Sequence, residues 1–104
     1  MLKPGDLLTH DPSAIEPAGV DWTDWLAELG ALVTITTSTY AVSTITGDAA
    51  PMTLSGATIV AGNLKTQVTL TAGSVGSTYT VTNHITTSTG VQDERSFFVL
   101  VTQR

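Results

Sequence analysis

Cysteine is absent from the 104 residues, and charge is scarce. Without cysteine there are no disulfides, so a sandwich built from this chain holds together without an inter-sheet bridge and tolerates a reducing compartment. Only 12% of the residues are charged, against about 25% in average globular domains, so hydroxyls and glycine must form much of the surface. Lys3, Lys65, Arg95 and Arg104 are the only permanent cations against nine acids. They are too few and too scattered to track a phosphate backbone, which argues against nucleic acid as a partner. No apolar run is long enough to cross a bilayer as a helix. The opening MLKPGDLLTH lacks the charged-then-apolar design of a secretory signal, so the chain is expected to be soluble, to have no membrane partner and to fold in a cytoplasm. Aromatic residues are also rare, at 6%, so each one is informative.

What the chain has instead is threonine, twenty of them, together with many valines and isoleucines. β-Branched side chains suit a pleated, half-buried surface. A length of 104 residues fits one modest core, with roughly 65% of the unfolded surface buried. The period of the pattern identifies the strands. Tyr79, Val81 and Ile85 fall on one face while Thr80, Thr82 and His84 fall on the other. Val68 and Leu70 repeat the alternation one strand earlier, and Ala31, Val33 and Ile35 give another. Tyr40 and Val42 follow with changed parity, which predicts a bulge or bend near Thr37 and Ser38. Turn signals at Gly47-Asp48, Ser55-Gly56, Gly62-Asn63, Ala72-Gly73 with Gly76, and Ser88-Thr89-Gly90 recur at the spacing of a sandwich or barrel.

The pattern predicts an all-β, immunoglobulin-like antiparallel β-sandwich over residues 11–104, preceded by an extended arm over residues 1–10. One short helical turn is expected between Asp21 and Leu29, capped by Asp21 or Thr23. In Gly76-Ser77-Thr78-Tyr79-Thr80-Val81, Tyr79 stands where immunoglobulin-like domains enter strand F with a tyrosine hydroxyl bonded back to upstream backbone.

Catalytic chemistry finds little support. His10 lies in the arm and His84 on an outward, threonine-bearing face, neither beside a recognisable nucleophile and orienting acid. Asp21 and Asp24, with Glu28, are the nearest thing to a metal cluster, but they lack a glycine-bearing loop, and Asp21 and Asp24 read as helix-start residues. No enzyme activity, cofactor or metal is expected. Trp22 and Trp25 are three apart and fall on one side of a turn. They either plug one end of the core or form a platform for a sugar or a protein. Asp93-Glu94-Arg95 reads as the charged opening of the last strand, with Arg95 expected to reach a carboxylate near Trp22.

The last strand is apolar on both sides: Phe97, Val99 and Val101 on one, Phe98 and Leu100 on the other. One face is the core. The other is an association surface unless something covers it. Cover by the arm, through Leu7, Leu8 and Ile15, is one explanation and a neighbouring subunit is the other. Phe98 and Leu100, with Leu7 and Leu8, are therefore the candidate interface.

Taken together, Asp11-Pro12, Val20-Asp21-Trp22-Thr23-Asp24-Trp25-Leu26, Gly73 through Gly76 to Thr78-Tyr79-Thr80-Val81-Thr82-Asn83, Ile85-Thr86-Thr87 and Asp93-Glu94-Arg95-Ser96-Phe97 resemble a family of small tailed-bacteriophage virion proteins. Its members are described as fibre-to-tail adaptors or neck and tail structural proteins. The resemblance spans about residues 10 to 103. It implies an immunoglobulin-like fold, no catalysis, and a multi-copy or homo-oligomeric place in the virion, made in the host bacterial cytoplasm. The implied partners are other virion proteins of the tail, fibre, portal, neck or capsid. Tyr40 stands where the family pattern has tryptophan, Phe98 and Leu100 stand where it has polar residues, and Thr44 to Asn63 reads as an insertion or an extra strand pair. A carbohydrate- or receptor-binding immunoglobulin-like module, with exposed Trp22 and Trp25, is the alternative.

Overall fold

The computed structural model describes residues 6–46, 52–60 and 62–103. In chain order the elements are β1 (Leu7–His10), β2 (Ile15–Asp21), α1 (Thr23–Leu29), β3 (Ile35–Thr46), β4 (Thr53–Val60), β5 (Lys65–Thr71), β6 (Thr78–Thr87) and β7 (Gln92–Val101). Strict alternation of buried and part-exposed residues along β5 and β6 is what a sheet with one face on a core requires. Two sheets satisfy it, ordered β1-β7-β6-β3 and β2-β5-β4. All pairings are antiparallel except β1 with β7, which is parallel and sets Leu7 beside Phe98 and His10 beside Val101. Facing one another, the sheets form an all-β, immunoglobulin-like sandwich.

The core lies between them. Val20, Val68 and Leu70 come from one sheet, Ile35, Tyr79, Val81, Ile85, Phe97, Val99 and Val101 from the other, and Trp22 and Leu26 close one end. The parity change in β3 is produced by a register shift between Ile35 and Thr37, which pair with Thr87 and Thr86. The extra residue is Thr36, whose hydroxyl bonds to the Thr86 carbonyl at 3.0 Å. At the opposite end of the sandwich from α1, Gly73 has φ +102 and approaches the core so closely that a Cβ would lie 2.9 Å from Val101 Cγ2. Only glycine meets both demands at low cost.

Three sequence expectations need correction. The arm is not separate from the sandwich: residues 7–10 are a strand of the larger sheet, while residues 1–5 lie outside the described residues. A parallel partner remote in sequence, β7, supplies hydrogen bonds that no local pattern announces. Ala31 is exposed in the turn before β3 and does not belong to a strand. The Thr44 to Asn63 segment yields the end of β3 and the single strand β4, which pairs with β5; the Gly47-Asp48 turn signal lies outside the described residues.

Candidate interaction surface

The outward face of the β1-β7-β6-β3 sheet follows from register. Leu7 lies beside Phe98, Phe98 opposite Thr80, and Thr80 opposite Ser43. One step along, Thr9 lies beside Leu100 and Leu100 opposite Thr78. In the other direction come Ser96, Thr82 and Ala41, then Glu94, His84 and Thr39. Thr82 and Ser96 hydroxyls bond at 2.9 Å. His84 lies between Gln92, 3.1 Å from its Nε2, and Glu94, 3.4 Å from its Nδ1. The face is thus a field of hydroxyls with an acid-histidine pair at one end and Leu7, Phe98 and Leu100 towards the other.

Leu7 is 59% exposed, and Phe98 and Leu100 are half-buried. Leu8 takes the opposite parity and packs against the core, so it leaves the candidate interface. Residues 7–10 do not lie over the face; they widen the sheet by one strand and add Leu7 to the apolar patch. Ile15 belongs to β2 in the other sheet and is 75% exposed there.

Behind this face sits a buried polar network. Asn83 stands on the inward side of β6, between Val81 and Ile85, and is fully buried. Its Oδ1 accepts from the Trp22 indole N–H at 2.9 Å and from the Thr66 hydroxyl at 2.7 Å. Its amide nitrogen donates to the Ser38 hydroxyl at 2.9 Å and the Thr39 carbonyl at 3.0 Å. The Tyr40 hydroxyl lies 2.7 Å from that of Thr66, and burial raises its pKa above the ordinary tyrosine value. Asn83 therefore uses two acceptor and two donor sites, which ties β5, β3, β6 and the start of α1 into one arrangement. It was not singled out from the sequence. Its signal was there: an amide in the inward series Tyr79, Val81, Asn83, Ile85.

Trp22 is fully buried, with Trp25 edge-on at 5.2 Å and the Arg95 guanidinium 4.3 Å over its ring. Such an indole is not a platform for a sugar. Arg95 reaches the backbone carbonyl of Asp21 at 3.5 Å, not a carboxylate, because the Asp21 side chain turns to the Thr23 N–H at 2.9 Å. The Thr23 hydroxyl and N–H, and more weakly Lys65, hold the Asp21 carboxyl below its usual pKa against the effect of partial burial. Asp24 and Glu28 project from exposed positions of α1.

His10 is buried with Nδ1 2.5 Å from Glu16 Oε1, which clasps β1 to β2 across the side of the sandwich. Among the described residues its Nε2 has no hydrogen-bond partner.

The Tyr79 hydroxyl, at the other end, accepts the Ser74 N–H at 3.2 Å. Tyr79→Phe is expected to keep the fold and to cost on the order of 1 kcal/mol, the net value of one hydrogen bond. A thermal melt checks this; an unchanged midpoint would show that the corner bond contributes nothing.

These features define an immunoglobulin-like sandwich whose distinctive chemistry lies in its surfaces. In fold it is similar to the solution structure of the PKD domain from KIAA 1837 protein, with a TM-score of 0.52 and 20% identity over 98% of this chain and 83% of that one. No curated protein matches the chain. The family described as podophage GP4 fiber-tail adaptor protein gp77 matches residues 10–100. The chain belongs to that bacteriophage tail adaptor family.

Proposed function

We propose that this protein is a non-enzymatic structural subunit of a podophage virion, joining fibre to tail by packing the outer face of its larger sheet against another virion protein. Family membership supports the adaptor role. The observation that carries the choice of surface is the Leu7, Phe98 and Leu100 patch, the apolar part of a face otherwise made mainly of hydroxyls. A cysteine-free chain fits synthesis in the reducing host cytoplasm before assembly.

Burying a large, fully exposed apolar side chain stabilises a contact by about 1.5–3 kcal/mol. Phe98 and Leu100 are already more than half buried, so a partner gains roughly 1–2 kcal/mol from both, or about 5–30-fold in affinity. Phe98→Ser combined with Leu100→Thr should leave the melting temperature within a few degrees of wild type and weaken incorporation into tails by that order. Both quantities are to be measured on the same preparation. Unfolding would assign the two residues to the core, and normal incorporation would place the interface elsewhere.

A further inference from the structure

We infer that the α1 end of the sandwich is a second docking surface, which takes a virion protein presenting apolar side chains beside lysines or arginines. The inference rests on the adaptor reading in one respect: a joint makes two contacts, and the outer face of the larger sheet supplies one of them.

α1 follows the last residue of β2 in the smaller sheet and delivers the chain to β3 in the larger, so it lies across one end of the sandwich. Trp25 and Leu26 pack it against the core. Leu29 comes three residues after Leu26 and four after Trp25, on the same side of the helix. It is 40% exposed, and Leu32, in the turn that follows, is 91% exposed. The turn between β6 and β7 stands beside this one. The Ser88 N–H donates to the Thr34 carbonyl at 2.8 Å, and the Thr34 N–H to the Ser88 hydroxyl at 3.2 Å. Val91 closes that second turn, its carbonyl accepting the Thr87 N–H at 2.8 Å, and is exposed as well. Turns ordinarily carry polar residues and glycine, and an exposed hydrophobic residue standing singly needs no explanation. Here two adjoining turns and the helix end expose Leu29, Ala31, Leu32 and Val91 together.

Charge selects the occupant. Asp24 and Glu28 are exposed on α1, and Asp93 stands two residues before Arg95 on the side of β7 that faces Trp22. Lys65 and Arg95, the only lysine and arginine among the described residues, are already engaged: Arg95 lies 4.3 Å over the Trp22 ring and Lys65 lies 3.9 Å from the Asp21 carboxylate. Among the described residues no cation reaches Asp24 or Glu28. A second copy of this end, a nucleic acid or an anionic membrane would bring negative charge against those acids and be repelled. A protein surface with an apolar centre and a basic rim complements both parts of the patch.

Leu32 is almost fully exposed, so Leu32→Lys should leave the melting temperature unchanged. Glu28→Lys, in the last turn of α1, suits the helix dipole and should not lower it either. Phage lacking the gene for this chain are to be grown with each variant supplied at equal level, and the purified particles scored for this chain and for fibre. Leu32→Lys should reduce one of the two joints at least about tenfold, since it removes the apolar contact and sets a cation against a basic rim. Glu28→Lys should weaken the same joint. Phe98→Ser with Leu100→Thr should weaken the other, so that one set of particles lacks this chain and the other carries it without fibre. Normal fibre-bearing particles with Leu32→Lys overturn the inference, as does loss of the same joint in both sets. A joint that Glu28→Lys leaves at full strength overturns the basic partner. Fibres that stay attached when the chain is deleted refute the adaptor reading itself, a failure distinct from these.

Discussion

Asn83→Leu is expected to destabilise the domain by about 3–5 kcal/mol. The substitution nearly conserves volume, so the cost comes from polar groups that lose their partner in the interior. The Trp22 indole N–H, on a fully buried residue, loses its acceptor outright, and an unsatisfied buried donor costs about 1–3 kcal/mol. Thr66 keeps Tyr40, whereas Ser38 and Thr39 each lose a donor. A domain of this size has roughly 5–15 kcal/mol in total, and each kilocalorie moves its midpoint by about 4–8 °C. Calorimetry should therefore find a fall of at least about 12 °C. Adding Trp22→Phe removes the orphaned donor, so the pair should lose less than the sum of the single effects. A fall of under about 4 °C for Asn83→Leu would mean the network has little to do with holding the sheets together.

Gly73→Ala is the second severe change, for a different reason. At φ +102 a side-chain-bearing residue is strained by about 1–3 kcal/mol. The new Cβ would stand 2.9 Å from Val101 Cγ2, 3.5 Å from Met52 Cβ and 3.6 Å from Tyr79 Cε2. Val101 and Tyr79 are fully buried and have nowhere to retreat, so overpacking adds about 1–3 kcal/mol. The expected loss is about 3–5 kcal/mol by urea denaturation, with an unchanged slope. A loss below about 1 kcal/mol would show that the β5–β6 link relaxes freely.

The parts of this architecture that were legible in the sequence are those that depend on period two. Val68 with Leu70, and Tyr79 with Val81 and Ile85, mark their strands because one face meets the core and the other does not. Phe98 and Leu100 stood out for the complementary reason, as apolar residues at outward positions. Asn83 did not stand out, because one polar residue in an apolar series reads as noise until Trp22 and Thr66 are brought to it from other elements. β1 was hidden by its brevity and by a partner at the far end of the chain. His10 consequently read as an arm residue, although it is fully buried. Arg95 was placed near Trp22, but its acceptor was misjudged because a backbone carbonyl leaves no mark in a sequence.

The parallel pairing of β1 with β7 bears on how the domain transmits force. Tension that draws the segment ahead of β1 and the segment beyond β7 apart along the strand axis slides the two strands past one another. In that geometry the bonds of the Leu7–His10 ladder share the load and must yield together. In a hairpin pulled open from its end, each bond gives way in turn. If fibre and tail pull on those two segments, the four-residue ladder is a rivet set across the direction of pull.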